Sequence, residues 1–356
     1  MTSTIFVVDD NITNLEMAAE VLGDEYRVLT MTSAKKMFSM FEKIVPDMIL
    51  LDIEMPEMNG MEALVLLKDN PKYSHIPVIF LTSLRDPLIE TKGFDSGAVD
   101  FISKPFSDIV LKIRIRRHLD IDNIIRIRTQ ELKEKTKQLE MLRNGIISVL
   151  ADVIEKRDKG ASGHIERVTA YANLLIGAMA ERNIYVDEIS SWDLELIFTS
   201  LKMHDIGKLA ISDFVLNKQD KLTDEEFTYM QTHVQEGIRI IDDITQKVGH
   251  NDLLMNAYKF AAYHHEKWNG GGYPFKVKGS EIPLQSRVLA IIDTYDALTT
   301  ERSYKKALTS DEAVEIIKSG AGTQFDPVIV DVFYEVRNVF AVMCDWFNPL
   351  QSKKIS

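Results

Sequence analysis

The chain has 356 residues, of which 45% are hydrophobic, and because one core rarely organises so long a chain, two domains are expected. Its formal net charge of -12 argues against a general binder of nucleic acid or acidic membranes, since such proteins bind phosphates through clustered Lys and Arg. Cys344 is the one cysteine, and the N-terminus has no signal-peptide pattern. No apolar run approaches the roughly 18 residues that span a bilayer. We therefore expect a reduced, cytoplasmic protein without membrane insertion.

Residues 1–120 alternate short apolar runs with segments of helical periodicity, which predicts a doubly wound α/β domain around a five-stranded parallel sheet. In such sheets ligands bind beyond the carboxyl ends of the strands. Five polar residues stand at predicted strand ends: Asp9, Asp10, Asp52, Thr82 and Lys104. Three carboxylates at one sheet edge repel each other unless a hard cation such as Mg²⁺ neutralises them. The nearby hydroxyl and ammonium groups would suit an added phosphoryl group.

The motifs VVDD, LLDIEMPEMNG, FLTS and FISKPF resemble, in this order and spacing, the receiver domain of bacterial two-component response regulators. The resemblance implies that Asp52 is the phosphoacceptor and that Asp9 and Asp10 bind Mg²⁺ together with it. It also implies Thr82 as the switch hydroxyl, Lys104 as the lysine that contacts the phosphoryl group, and a sensor histidine kinase as partner. No position of the receiver pattern is missing, so we expect phosphorylation to occur.

Residues 121–145 contain no proline and one glycine, Gly145, which predicts a continuous helical linker. Apolar residues recur at every seventh place: Ile125, Leu132, Leu139 and Ile146. The companion heptad positions are partly polar, with Arg128 and Lys135 before Leu142 and Val149, so a coiled coil formed here would be weak. Two interpretations remain open: a solvated charged linker, or the stalk of a homodimer that passes the receiver state onward.

From residue 146 to 349 strand patterns vanish and helical periodicity predicts an all-α domain, followed by a tail at 350–356. Candidate metal ligands come from five segments: His164, His204, Asp205, His233, His264, His265 and Asp293. The sequence HDIGK lies inside an apolar helix pattern, where burying an imidazole and a carboxylate is costly unless they pair or bind a cation. Lys208, one helical turn after His204, is expected on the same helix face, where its cation would meet a phosphate.

Imidazole and carboxylate ligands without thiolate suit Fe, Mn, Ni, Co or Zn, and ligand type does not choose among these metals. Seven ligands exceed the coordination of one ion that keeps an open position, so two divalent transition-metal ions are expected. A carboxylate that bridges two ions roughly 3.5 to 4 Å apart would place a hydroxide between them, ready for in-line attack at phosphorus.

The motifs HDIGK, HHEKWNGGGYP, IPLQSRVLAIIDTYDALTTERSYKKAL and GTQFDP resemble the HD-GYP family of cyclic-dinucleotide phosphodiesterases over about residues 146–345. The resemblance implies hydrolysis of cyclic di-GMP to pGpG, and in some members on to GMP, with the seven candidates as ligands and Asp205 bridging. It implies that Lys208, Arg302 and Lys305 hold the substrate phosphates. Tyr273 would either shape the pocket or help to dock diguanylate cyclase domains.

Two departures from the family pattern stand out. Members with three metals carry a glutamate four residues before the first histidine, where this chain has Gly160, so two metals are expected. Gln324 replaces a frequent histidine, and no mechanism follows from that change.

The sequence also has alternative interpretations besides hydrolysis of cyclic di-GMP. One is a preference for 3',3'-cyclic GMP-AMP, and a second is a catalytically silent sensor or docking module. An HD-type hydrolase of dNTPs or ppGpp would not require HHEKWNGGGYP, and a DNA-binding regulator would need a basic recognition element that the chain lacks. Phosphorylation of Asp52 is expected to change access to the metal site through the linker helix, in a direction that the sequence leaves open.

Overall fold

The structure, a computed structural model, describes residues 2–83, 87–158, 162–301 and 306–347. It divides into two compact units, residues 1–137 and 138–356. The first is an α/β unit and the second is all helical, so the predicted multidomain fold class is confirmed. Among the helices of the described ranges, none is long and apolar enough to cross a membrane.

The first unit is built on a five-stranded sheet with the order β2-β1-β3-β4-β5, in which every neighbouring pair is parallel. Strands and helices alternate: β1 Thr4–Val8, α1 Ile12–Leu22, β2 Arg27–Met31, α2 Ala34–Met40, β3 Met48–Asp52, α3 Gly60–Asp69, β4 Val78–Thr82, α4 Pro87–Asp95 and β5 Asp100–Ser103. The side chains of β3 and β4 are buried along their whole length, because helices cover both faces of the sheet. One core includes Phe6, Leu64 and Phe80, and the opposite core includes Ile5 and Leu111.

Helix α5 runs without interruption over Asp108–Arg157 and confirms the predicted helical linker. The four heptad residues of the linker are exposed to solvent: Ile125 by 59%, Leu132 by 65%, Leu139 by 66% and Ile146 by 52%. Each therefore leaves more than half of an apolar side chain without cover in the single chain. Toward its end the helix becomes part of the second unit, where Ile147 and Ile154 are buried.

The second unit contains ten further α-helices within the described residues: α6 His164–Glu181, α7 Val186–Ile189, α8 Leu194–Leu201, α9 Asp213–Leu216, α10 Asp224–Val248, α11 Asp252–Tyr263, α12 Leu284–Thr299, α13 Ser310–Ser319, α14 Pro327–Glu335 and α15 Arg337–Phe347. Short 3-10 helices cover Ile206–Ala210 and Gly279–Glu281. Its largest core joins Tyr171 of α6, Tyr295 of α12 and Phe340 of α15 through edge-on and tilted ring contacts. A smaller core packs the segment after α8 against α10 and α11.

The HDIGK segment departs from the predicted helix. Helix α8 ends at Leu201, His204 and Asp205 lie in a turn, and Lys208 belongs to the 3-10 helix that follows. The expectation that Lys208 shares an α-helical face with His204 is therefore wrong. The physical reason lies at Gly207, where an added Cβ would stand 1.8 Å from the backbone oxygen of His233 in α10. Because the two backbones approach so closely, α8 does not continue through this segment as an α-helix.

Candidate metal centre and phosphoacceptor site

Four buried histidines of the second unit each direct Nδ1 to an acceptor, which leaves Nε2 facing the interior of the site. The Nδ1 contacts are His164 to Asp296 Oδ2 at 2.7 Å, His204 to the Leu201 oxygen at 2.9 Å, His233 to the Met230 oxygen at 2.7 Å, and His264 to the Phe260 oxygen at 2.9 Å. Since these oxygens only accept, each Nδ1 must carry the proton. Each Nε2 then offers a lone pair, the arrangement found in metal-binding histidines.

The structure brings six of the seven predicted ligands into two groups of three. One group contains His233, His264 and His265, and the other contains His164, His204 and Asp205; within each, potential ligand atoms lie within 4.8 Å of one another. The seventh, Asp293, approaches the second group, with Oδ1 3.6 Å from His164 Nε2. Helices α6, α10 and α12, and the segments after α8 and α11, supply these side chains.

Asp205 lies between the two groups and presents one oxygen to each. Its Oδ1 is 3.5 Å from His233 Nε2 and 3.7 Å from His264 Nε2. Its Oδ2 is 3.3 Å from His204 Nε2. A carboxylate in this position can contribute to two cation sites at once.

The hydrogen bonding of these histidines and the lowered pKa values of three of them suit the binding of divalent cations. Among the described residues, the buried Nε2 of His204 makes no hydrogen bond, and Nε2 of His233 lies 3.4 Å from Nε2 of His264, although both of these atoms are acceptors. Burial lowers the pKa of His233 and His264, and burial together with the neighbouring His233 lowers the pKa of His265 to about 4. Burial also acts to lower the pKa of His204, but Asp205 outweighs burial and raises it. Neutral imidazoles are the form that binds metal.

Lys208 provides a cation beside this centre. Its Nζ is 2.8 Å from Asp205 Oδ2 and 3.1 Å from Asp158 Oδ2. Burial acts to lower the pKa of Lys208, but the two carboxylates outweigh burial and raise it, so the ammonium stays charged. Arg302 and Lys305, the other predicted phosphate-binding residues, lie outside the described residues, as does Gly160.

The GYP loop packs directly on the histidines. The ring of Tyr273 stacks on His265 with 4.9 Å between centroids, and burial raises the pKa of its hydroxyl. Glu266, which is buried, accepts hydrogen bonds through Oε1 from the backbone N–H of Phe275 at 2.7 Å. A Cβ at Gly272 would lie 2.5 Å from Glu266 Cα, so the loop needs glycine there to fold back on itself.

A cavity of about 890 Å³ opens between the end of α5 and helices α6 and α8. It shares wall residues Glu155, Asp158 and Lys202 with a small cavity that is lined by His164, Asp205 and Lys208. The large cavity thus adjoins the candidate metal centre.

Sequence reasoning missed several residues that the structure places against the predicted ones. They are Asp158 beside Lys208, Asp296 and Arg167 beside His164, and Gly207 beside α10. Asp296 stands in the same IIDTYDAL motif as Asp293, three residues later, and so faces the same side of a helix. That spacing is a signal that could have identified it.

In the first unit, the five predicted residues lie together at the carboxyl edge of the sheet. Four strands supply them, whereas the edge strand β2 supplies none. Lys104 Nζ contacts Asp9 Oδ2 at 2.6 Å and Asp52 Oδ1 at 2.7 Å, and the carboxylates of Asp9, Asp10 and Asp52 form one candidate cation group. Burial raises the pKa of Asp52, an effect that Lys104 opposes. Thr82 is buried at the end of β4, and a cavity of about 430 Å³ opens over Asp52.

Comparisons with known proteins match both units. Residues 5–116 match the family described as "Response regulator receiver domain", and residues 148–329 match "HD domain". Receiver domains use Mg²⁺, and an HD domain implies binding of divalent metal.

Three related proteins match nearly all or part of this chain. A probable cyclic di-GMP phosphodiesterase of Vibrio cholerae is 37% identical over 99% of this chain and 82% of its own length. The cyclic di-GMP phosphodiesterase response regulator RpfG of Xanthomonas campestris is 30% identical over 98% of this chain and 92% of its own. A 3'3'-cGAMP-specific phosphodiesterase 2 of Vibrio cholerae is 33% identical over 58% of this chain and 35% of its own. The chain therefore belongs to the response regulators that join a receiver domain to an HD-GYP domain.

Proposed function

We propose that this response regulator hydrolyses cyclic di-GMP to pGpG at a centre of two divalent metal ions, under the control of phosphorylation at Asp52. The proposed organisation is a receiver over residues 1–120, a linker over 121–145 and a catalytic domain over 146–349. One observation carries the proposal most directly: Asp205 faces two separate histidine-containing groups with its two oxygens. The relatives named as cyclic di-GMP phosphodiesterases support the same reaction.

In the proposed mechanism the side chains position the substrate around the metal pair. Bound divalent ions would polarise the phosphoryl oxygens and lower the pKa of water for in-line attack. Asp205 and the histidines would hold that pair, and Asp293 would add a ligand on the His164 side. Lys208 is kept charged beside Asp205 and stabilises negative charge on the phosphoryl oxygens. Arg302 and Lys305 are proposed to join it.

Tyr273 is proposed to shape the pocket. Its ring stacks on His265 and so forms part of the wall of the candidate metal centre, where it would limit the access of water. This contact favours a role within the domain over the docking of a diguanylate cyclase.

The second candidate substrate is 3',3'-cyclic GMP-AMP, because a relative that matches 58% of this chain is named for it. Both compounds present the same phosphates to the metal pair and Lys208, so the centre itself does not distinguish them.

The test is a hydrolysis assay with protein loaded with Mn²⁺, Fe²⁺ or Zn²⁺ and of measured metal content. Cyclic di-GMP, 3',3'-cyclic GMP-AMP, a dNTP and ppGpp are supplied separately, and the linear products are separated by chromatography. Asp205→Ala should remove hydrolysis, whereas Asp220→Ala, which changes an exposed carboxylate of the same unit, should not. Loaded protein that cleaves neither cyclic dinucleotide would contradict the proposed function.

Homodimerisation through α5 is part of the proposal. The exposed heptad side chains would be covered in a parallel pair of helices, and the polar companions Arg128 and Lys135 would keep that pair weak. Leu139→Glu should therefore raise the apparent dissociation constant in analytical ultracentrifugation. Gln138→Glu, which adds the same charge at the neighbouring position, is the control, and equal association of the two variants would speak against a stalk at this seam.

Control by phosphorylation is proposed to reach the catalytic residues through the end of α5. Arg157 donates hydrogen bonds to the backbone oxygens of Leu209 at 3.1 Å and Ile211 at 3.0 Å, directly after the HDIGK segment. Asp158, the next residue, pairs with Lys208. A change in α5 would therefore act on the segment that holds His204 and Asp205. Equal hydrolysis rates of the phosphorylated protein and the Asp52→Asn variant would refute this coupling.

A further inference from the structure

We propose that Asp296, locked in place by Arg167, is a positioning residue that fixes the tautomer of His164 and thereby controls occupancy of one of the two metal sites. The inference rests on the proposed two-metal centre, which it deepens. Neither Asp296 nor Arg167 is a candidate ligand. Asp296 contacts the Nδ1 side of the His164 ring, opposite Nε2, and Arg167 is directed at Asp296.

The contact is buried and complete. Asp296 in α12 is 1% exposed, and its Oδ2 accepts the hydrogen bond from His164 Nδ1 at 2.7 Å. Arg167, which is 5% exposed, donates to both oxygens of the same carboxylate, from Nε to Oδ1 at 2.5 Å and from Nη2 to Oδ2 at 3.0 Å. The carboxylate thus accepts from three N–H groups and has one orientation available to it.

His164 differs in this respect from the other three histidines with engaged Nδ1 atoms. Those rings donate to backbone oxygens within their own helix or turn, so their tautomer follows from local geometry. The tautomer of His164 depends instead on a side chain 132 residues away. A carboxylate is also a stronger acceptor than a backbone oxygen, and it makes the opposite nitrogen a better metal ligand.

Helix α12 serves both nitrogens of this imidazole. Asp296 binds Nδ1, while Asp293, one helical turn earlier, lies 3.6 Å from Nε2. Since Nδ1 carries the proton, the Nε2 lone pair is free to bind a cation next to Asp293. The two aspartates of the IIDTYDAL motif therefore have different tasks: one is a proposed ligand, and the other orients a ligand.

Arg167 ties this arrangement to the start of α6. Its Nη1 donates to the backbone oxygen of Ser162 at 2.7 Å, two residues before His164 begins the helix. One guanidinium thus holds both the carboxylate that orients the imidazole and the chain segment that carries it.

Asp296→Asn tests the assignment, because asparagine keeps the shape and removes the charge. Arg167 donates to both oxygens of Asp296, so the amide nitrogen of asparagine would face an Arg167 N–H in either orientation. With the amide nitrogen toward His164, the imidazole must accept at Nδ1 and carry its proton at Nε2, which cannot bind metal. With the amide oxygen toward His164, the neutral oxygen is a weaker acceptor than the carboxylate and makes Nε2 a poorer ligand. We expect one site to weaken about 10- to 100-fold and the metal content to fall from about two ions per chain to about one.

Asp326→Asn is the matched control. Asp326 is equally buried and pairs with Arg287 at 2.7 Å, but it contacts none of the proposed ligands. A merely structural loss of a buried carboxylate should lower the melting temperature in both variants, whereas only Asp296→Asn should lose metal. Unchanged metal content and affinity in Asp296→Asn would overturn the proposal.

A second measurement needs no variant and no substrate. Nitrogen-15 NMR of metal-free wild-type protein, with His164 assigned from His164→Gln, reports which ring nitrogen carries the proton. We expect the proton on Nδ1 of His164, and a proton on Nε2 would overturn the proposal even if Asp296→Asn fails to fold. Neither readout involves hydrolysis. Metal content and the NMR tautomer would therefore confirm or refute this inference even if the protein does not hydrolyse cyclic dinucleotides.

Discussion

Substitution of Gly207 by alanine should disrupt the candidate metal centre from a position that contributes no ligand. A Cβ at this residue would lie 1.8 Å from the His233 oxygen and 2.4 Å from the Gly237 nitrogen. Both atoms belong to the backbone of α10 and cannot rotate away. The 3-10 helix and α10 must therefore separate by at least about 1.2 Å, the difference between 1.8 Å and the 3.0 Å below which such contacts are essentially absent from proteins.

Two consequences follow from this displacement. Overpacking against a fixed backbone destabilises the fold by about 3 kcal/mol, the upper end of the usual range. Asp205, two residues before Gly207, would also move relative to His233, and metal distances tolerate only about 0.2 Å. We therefore expect Gly207→Ala to bind metal weakly even under conditions in which it remains folded.

Gly177→Ala provides the matched control with the opposite sign. Gly177 lies inside α6, and nothing stands within 4 Å of its added Cβ, so alanine should stabilise the helix by about 1 kcal/mol. Urea unfolding of metal-free protein measures both effects, and tryptophan fluorescence reports only the second unit because Trp192, Trp268 and Trp346 all lie there. A Gly207→Ala variant as stable as wild type, with full metal content, would refute the close-approach argument.

Two predictions concern pH. Desolvation and the neighbouring His233 lower the pKa of the partly buried His265 to about 4, against about 6.5 when unfolded. The unfolded chain therefore binds a proton that the folded chain does not, and the free energy of unfolding falls as pH drops from 6.5 toward 4. His265→Asn should reduce this pH dependence, measured by urea unfolding of the metal-free protein, by at most about 3 kcal/mol, and an unchanged slope would contradict a neutral ring. Burial raises the pKa of Asp52 above the unfolded value of 3.8, so the charged carboxylate destabilises the receiver at neutral pH. Asp52→Asn should therefore slow hydrogen exchange in β3 at pH 7, and this gain in protection should shrink as pH falls toward 4. A gain in protection that persists at pH 4 would argue against burial as the cause.

The receiver site was largely predictable from sequence because a parallel sheet converts chain order into position. Once the strands are recognised, Asp9, Asp52 and Lys104 must meet at one edge, and their contacts of 2.6 and 2.7 Å agree with that rule. The candidate metal ligands of the second unit were predictable from sequence for a different reason. Histidines and aspartates inside apolar segments are costly to bury unless they share a partner.

Geometry within the helical unit was less predictable. The apolar pattern around HDIGK is equally compatible with a helix, so the turn at His204 and Asp205 could not be read from periodicity. That turn depends on Gly207 meeting α10, a contact between segments far apart in the chain. Asp296 was missed for a similar reason, because its role depends on α6 and α12 packing together, and the sequence does not reveal which helices pair.

The cavity beside the metal centre bears on how the protein could be inhibited. The space of about 890 Å³ between α5, α6 and α8 is large enough for a drug-sized molecule. A compound that fills it would contact Phe198, Ile165 and Asp158, and none of the proposed metal ligands lines this cavity. Its selectivity would come from the side chains of α5, α6 and α8 that line the cavity, and not from the chemistry of a bound ion.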